Sequence, residues 1–351
     1  MGGPPRVSPA DLADASGVGV PLLGEDGSVR DPLVAVDLGG EPDGATVERA
    51  VRHARAADRL LIGVLPPGAD ARPPHRELTE ALDLTFTGPG LDAGPPSVAT
   101  ADPERALRDL WEAVTRNPQA ALVLRGVLRT TPLLPVEAAL DVESYAYSTL
   151  LGGPEFARWL AARGPRPLPP EVRDPVLVER TGDAGLHITL NRPERRNAYG
   201  RQVRDALVDA LQIALLDPGA GRVLLDGAGP SFCAGGDLDE FGTAPDLVTA
   251  HQVRTRGGAG RLVHRLRGRI EARVHGACVG AGIEIPAFAG TLRAHPDATF
   301  RLPEVSMGLI PGAGGTVSVP RRIGRWRTLY LSVTGSAIGA STAREWHLID
   351  G

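Results

Sequence analysis

The chain contains no lysine. All 38 basic residues among its 351 are arginine, so Schiff-base chemistry on a lysine amine is excluded. Cysteine is almost as scarce: Cys233 and Cys278 cannot build a disulfide framework for a chain of this size and imply a reducing compartment. No apolar run reaches the ~18 residues of a membrane-spanning helix, and the opening MGGPPRVSPADLADASG lacks the basic-then-apolar pattern of a secretory leader. A cytoplasmic protein without a membrane partner is therefore expected. There is no GxxxxGK[ST], GxSxG, HExxH or paired CxxC, and the eight histidines lack ligand spacing, so no metal site is expected. Gly280-Ala281-Gly282 opens like a dinucleotide loop, but Ile285 stands at the third glycine position, and a Rossmann site is set aside.

What is abundant is turn-forming. The 44 glycines and 32 prolines, without a collagen period, mark many turns and linkers in a chain whose 42% hydrophobic and 23% charged content is that of a globular protein. Residues 1–170 carry 16 arginines against 23 acids, and residues 171–351 carry 22 against 19. Nucleic acid is a poor partner for such a chain, whereas one small phosphate ligand suits its second half.

Residues 1–30 show no lasting period and read as a flexible arm. Within 31–165, LVAVDL at 33–38 and RLLIGVL at 59–65 predict strands flanking a helix over 46–57, with Pro/Gly linkers over 66–76 and 88–101. Asp102-Pro103 starts a helix that Asn117-Pro118 stops, and further helices are expected over 119–129 and 135–163, the last interrupted at Gly152-Gly153-Pro154. GPRPLPPEVRDP contains the linker at 166–175. Over 176–351 strands and helices alternate, which predicts an α/β fold with largely parallel strands.

Four segments of this second half carry chemistry. They are NRPERRNA at 191–198, SFCAGGDL at 231–238, HGACVGAGIE at 275–284, and FRLPE at 300–304 running into GLIPGAGGT at 308–316. Small residues in SFCAGGDL let the backbone come close to a ligand, leaving an N–H near Gly236 free to meet an oxygen. At 280–284 a glycine-rich turn opens a helix whose first N–H groups have no internal partner. Glu284 follows on the same helical face, and Glu304 comes from the next junction. Two donors aimed at one oxygen stabilise a developing enolate, and two carboxylates suit proton movement on both sides of a double bond. Taken singly, Glu284 reads as a helix-dipole partner, Glu304 as a turn-surface acid, and the cysteines as buried fillers.

In order and spacing these segments resemble the enoyl-CoA hydratase/isomerase, or crotonase, family over about 174–350. The resemblance implies a crotonase-like repeated ββα superhelix, with an additional N-terminal α/β and helical region. It implies that the backbone amides of Gly236 and Ala281 form the oxyanion hole. It further implies hydration of a 2-enoyl-CoA to a 3-hydroxyacyl-CoA, with Glu284 chiefly on the water and Glu304 chiefly on the α-proton. Arg196, Ala198, Ala234 and Asp237 would contact coenzyme A or substrate, and Gly312 would shape the acyl pocket. Arg195 competes with Arg196 for the phosphates, as does the arginine run Arg254, Arg256, Arg261, Arg265, Arg267, Arg269 and Arg273, which otherwise reads as a solvated helix face. The partner implied is an acyl-CoA thioester, with coenzyme A part of the substrate and no separate cofactor, in a homo-oligomer, trimer or hexamer. Other reactions of the same fold, a double-bond isomerase, a decarboxylase or a thioester hydrolase, remain open, as does a non-catalytic acyl-CoA-binding subunit.

The sequence departs from the family in four places. Glu271 and Arg273 share one face of the strand over 269–274; Pro286 falls inside the helix expected to carry Glu284; and Leu302 replaces a frequent polar residue, leaving Glu304 short of a partner. The chain also ends where relatives continue into further helices. Residues 102–165 resemble that carboxy-terminal segment, so 31–165 is read as a degenerate crotonase copy supplying the helices to a second copy.

Overall fold

The computed structural model describes residues 2–65, 75–91, 94–182, 185–217 and 219–351. Most of the linker expected over 66–76 lies outside the described residues. The first half begins with β1 (Arg6–Val7), α1 (Pro9–Ala13), β2 (Leu33–Asp37), α2 (Gly44–Ala56), β3 (Leu60–Val64), α3 (Arg76–Ala81), β4 (Leu84–Thr87) and β5 (Ser97–Ala99). Four helices follow: α4 (Pro103–Arg116), α5 (Pro118–Thr130), α6 (Val136–Leu151) and α7 (Pro154–Arg163). The first five strands pair in parallel, in chain order.

The second half contains β6 (Val176–Arg180), β7 (Leu186–Leu190), α8 (Arg201–Leu216), β8 (Val223–Gly227), α9 (Leu247–Arg256), α10 (Ala259–Arg265), β9 (Ile270–Val274) and β10 (Ala277–Val279). It continues through α11 (Ala281–Glu284), β11 (Thr291–Ala294), β12 (Thr299–Arg301), α12 (Gly315–Ser318), α13 (Pro320–Thr334), β13 (Ile338–Gly339) and α14 (Ala340–Glu345). Its main sheet runs β11-β9-β8-β7-β6, parallel except at β6, and β10, β12 and β13 form a small second sheet. No helix among the described residues is long and apolar enough to cross a membrane.

Residues 2–30 do not form the loose arm expected over 1–30. Arg6 and Val7 pair with Ala35 and Val36, and Ser8 and Asp11 cap α1 reciprocally, each side chain accepting from the other's backbone N–H. Leu12 and Ala13 are buried against α2. A capping box is a local signal, which the search for a lasting period passed over.

Strands β2 and β3 are buried on both faces. Val34, Val36 and Leu61 pack under α1 and α2, while Leu33, Ala35, Leu60 and Ile62 join one core that continues through the second half to Ile349. Asp83, at the head of β4, ties the halves electrostatically. Its carboxylate meets Arg125 at 2.8 Å and Arg129 at 2.7 Å, both on α5, and Arg325 of α13 at 3.4 Å. Burial raises its pKa, but the three guanidinium groups outweigh that and hold it below the usual carboxylate range. Trp326 Nε1 donates to Leu82 O at 3.0 Å beside it.

The charged strand resolves by pairing: Glu271 meets Arg273 at 2.7 Å and Arg293 at 3.5 Å. The stretch over 166–175 has no helix and no strand before Val176, and its Pro170 carbonyl accepts from Arg192 at 2.7 Å and Gln202 at 3.1 Å. Asp83→Asn keeps the shape but leaves buried arginines without their anion, and the expected loss in urea unfolding is about 3–5 kcal/mol. A loss below about 1 kcal/mol would show that the cluster does not join the halves.

Candidate active site

Two short segments run side by side under the cavity. Cys233 and Cys278 form a parallel bridge, and Val279 N–H donates to Cys233 O at 3.0 Å. Fully buried Asn197 anchors the surrounding loops, accepting from Arg192 N–H at 2.7 Å and donating to Ala228 O and Ser231 O at 2.9 and 3.0 Å. Both segments then turn away, at Gly235 with φ +100° and Gly280 with φ +49°, conformations that side chains resist. At Gly282 a Cβ would stand 2.1 Å from Cys233 O. The turns leave the N–H groups of Gly236 and Ala281 donating to no backbone acceptor among the described residues.

Glu284 closes α11, which is a single turn. Pro286 is not inside that helix, as the sequence suggested, but starts a separate 3-10 turn, so it removes no helical hydrogen bond. The Glu284 Oε2 accepts from the N–H groups of Ala313 and Gly315 at 2.7 and 2.8 Å. Glu304 starts a 3-10 turn after Pro303, and its buried Oε2 has no hydrogen-bond partner. A Cβ placed on Gly280 would lie 2.5 Å from Oε1 of Glu304 and 3.6 Å from Oε1 of Glu284, so the two acids converge on one point. Burial pushes Glu304 up to about 8, and burial together with the charges of Glu304 and Glu143 holds Glu284 well above the ordinary range.

A third carboxylate comes from the first half. Glu143 on α6 accepts from Gly314 N–H at 2.8 Å through Oε1, and from Thr316 N–H and hydroxyl at 2.9 and 2.7 Å through Oε2. Burial pushes it up to about 7 against those three bonds. The sequence reading missed it, although a signal was present: Glu143 shares the buried stripe of α6 with Ala139 and Leu150, where a charge is anomalous. Ring atoms of Tyr147, one turn on, would stand 2.3 Å from a Cβ at Gly312.

These groups line a cavity of about 730 Å³. Gly236, Asp237, Ala281, Glu284, Glu304 and Gly312 reach its wall together with Glu143, Tyr147 and Tyr199; Arg196, Ala198 and Ala234 do not. Arg196 is exposed in the left-handed region, and the Ala234 N–H is taken by Arg196 O at 3.0 Å. The Asp237 carboxylate is not left for a ligand, because Arg195 holds both its oxygens at 2.7 and 2.9 Å. Among the described residues no cluster of His, Cys, Asp or Glu is arranged to hold a metal ion.

With this geometry in place, likeness to known proteins acquires meaning. The sequence model of enoyl-CoA hydratase/isomerase matches residues 181–351. The chain is 35% identical over 169 residues to the 1,2-epoxyphenylacetyl-CoA isomerase of Escherichia coli, covering 47% of this chain and 64% of that one. It is 34% identical over 174 residues to an enoyl-CoA isomerase/hydratase of Mycosarcoma maydis, covering 47% and 63%. A solved enoyl-CoA hydratase from Thermoplasma volcanium is 30% identical, with TM-score 0.46, over 50% of this chain and 70% of that one. The chain, 31% identical to a probable enoyl-CoA hydratase of Mycobacterium leprae of which it covers 67%, belongs to the enoyl-CoA hydratase/isomerase family, and the α/β second half is the part that matches. It spans about two thirds of the length of the curated relatives it matches.

The raised carboxyl groups give a pH test. A fold that favours the neutral acid is stabilised fully below the ordinary carboxylate range and loses that contribution as pH rises through about 7 for Glu143 and about 8 for Glu304. Thermal melting is expected to fall between about pH 5 and 9, and Glu304→Gln, which cannot ionise, is expected to flatten the upper part of that fall. Identical slopes in both proteins would contradict the burial of Glu304 as an acid.

Proposed function

We propose that the protein hydrates a 2-enoyl-CoA thioester to the 3-hydroxyacyl-CoA. The observation that carries this reading is the convergence of Glu284 and Glu304 beside Gly280, next to the unspent N–H groups of Gly236 and Ala281. A thioester oxygen accepting from those two N–H groups gains most stabilisation when it becomes an enolate, because the donors are fixed before the reaction begins. Glu284, ionised while Glu304 holds the proton of the coupled pair and its charge met by the N–H groups of Ala313 and Gly315, takes a proton from water as the water oxygen bonds to the β-carbon. Glu304, neutral at ordinary pH, gives its proton to the α-carbon as the enolate returns to the thioester. The pair then holds its proton on Glu284 rather than Glu304, and its passage from Glu284 to Glu304 restores the starting state. Moving a double bond along the chain needs only one such acid, and the second carboxyl within reach favours hydration.

In this reading the first half is not an appendage. α6 and α7 supply Glu143, Tyr147 and Phe156 to the cavity wall, which supports the idea that 31–165 lends the core its closing helices. The two buried, unpaired cysteines fit a cytoplasmic setting.

Incubation with crotonyl-CoA is expected to remove the enoyl-thioester absorbance. Glu284→Gln and Glu304→Gln should each lower kcat by about 10²- to 10⁴-fold while thioester binding persists. Unchanged turnover in both variants would end the glutamate mechanism. The kcat/KM of the unaltered protein should decline above about pH 8, as the proton on Glu304 is lost.

A further inference from the structure

Arg254 is a charged group in the cavity wall that the hydration mechanism leaves unused. It projects from α9 toward α6, with its guanidinium 4.6 Å from the centre of the Tyr147 ring. Its Nε donates to Ser144 Oγ at 3.1 Å, and its Nη2 to Ser144 O at 3.4 Å and to Ser148 Oγ. Every one of these partners is a neutral oxygen. Of the other arginines in the wall, Arg204 meets Asp205 at 2.7 Å and Arg261 meets Asp141 at 3.6 Å, while Arg201 is exposed to solvent. Arg254 is thus a largely buried cation held in place by hydroxyls and an aromatic face, with Glu143 acting on it electrostatically but no carboxylate in direct contact. A buried charge is costly unless an anion meets it, and the two N–H groups of Nη1, which none of these oxygens takes, remain to donate to a carboxylate.

Its position says which anion. The ring under Arg254 lies against Gly312, which adjoins the loop whose N–H groups hold Glu284. That is the acyl end of the cavity, beside the reacting carbons. An anion arriving there is part of the acyl group.

We propose that Arg254 is a specificity-determining residue that receives a terminal carboxylate of the acyl chain, so that the preferred substrates are 2-enoyl-CoA thioesters of dicarboxylic acids. This rests on the acyl-CoA reading of the cavity, and it adds the chemical class of the acyl group. The competing role, in which Arg254 only offsets the buried charge of Glu143, requires no such preference.

Saturated thioesters test the proposal without chemistry. Calorimetric titration of the full chain compares succinyl-CoA with butyryl-CoA, glutaryl-CoA with pentanoyl-CoA, and adipyl-CoA with hexanoyl-CoA. At least one dicarboxylic member is expected to bind about 10- to 100-fold tighter than its apolar counterpart. Arg254→Met should bring that ratio to about 1 or below, and Arg254→Lys should keep part of it, since a point charge remains without the hydroxyl-held guanidinium that aims it. The lysine variant carries the comparison should the methionine variant fail to fold. Equal or tighter binding of the apolar member in all three pairs, or a wild-type ratio in the variants, overturns the proposal. Absence of binding by every thioester overturns the acyl-CoA reading itself and the proposal with it.

Discussion

The site depends on where main-chain N–H groups are spent. A buried N–H must find an acceptor, so each one that secondary structure does not use is committed to a side chain or a ligand. Along the loop that leads into α12 they are committed alternately: Ala313 and Gly315 to Glu284, Gly314 and Thr316 to Glu143. Two carboxylates from distant parts of the chain thereby hold one loop from opposite sides. The same arrangement fixes Glu284, whose Oε1 faces the point that Glu304 also reaches. The N–H groups of Gly236 and Ala281 likewise meet no backbone acceptor among the described residues, and these two border the point where the acids converge.

Three buried acids in one cavity would repel one another if all were ionised, and burial raises each of them above the ordinary carboxylate range, with repulsion from neighbouring acids adding to the rise of Glu284 and Glu304. The loop bonds to Glu143 and Glu284 pull the other way, whereas the Oε2 of Glu304 has no such bond. In the proposed mechanism Glu304 carries the proton of the pair, and Glu284, with two loop N–H groups on its Oε2, is the one that is ionised. The first half of the chain enters this balance through Glu143, and it is joined to the second by a continuous core and by the three arginines around Asp83. Fold and protonation state are therefore linked across the two halves.

Much of this was legible in the residues. The helix over 103–116 begins at Asp102, whose side chain accepts from Arg105 N–H, and helices α6 and α7 part at Gly152-Gly153-Pro154 as their residues suggest. The strands around 33–38 and 59–65 were marked by apolar runs, and Gly236, Ala281, Glu284 and Glu304 by their motifs. What escaped were features set by tertiary contact or by very short elements. The sheet pairing of Arg6 and Val7 spans too little chain to show a period, and Glu143 acquires its role only because α6 is laid over the Gly314–Thr316 loop. Asp237 illustrates the reverse. Its motif position suggested ligand contact, but Arg195 claims the carboxylate. Pro286 looked disruptive on the assumption of a long helix, and α11 ends before it.

The central claim is that a thioester carbonyl is polarised by the N–H groups of Gly236 and Ala281. Infrared difference spectroscopy of butyryl-CoA, labelled with ¹³C at the thioester carbonyl and bound to the protein, reads that polarisation without turnover. Two fixed donors predict a C=O stretch below its frequency in water. A stretch at or above the aqueous value, as in an apolar pocket without donors, would contradict the account.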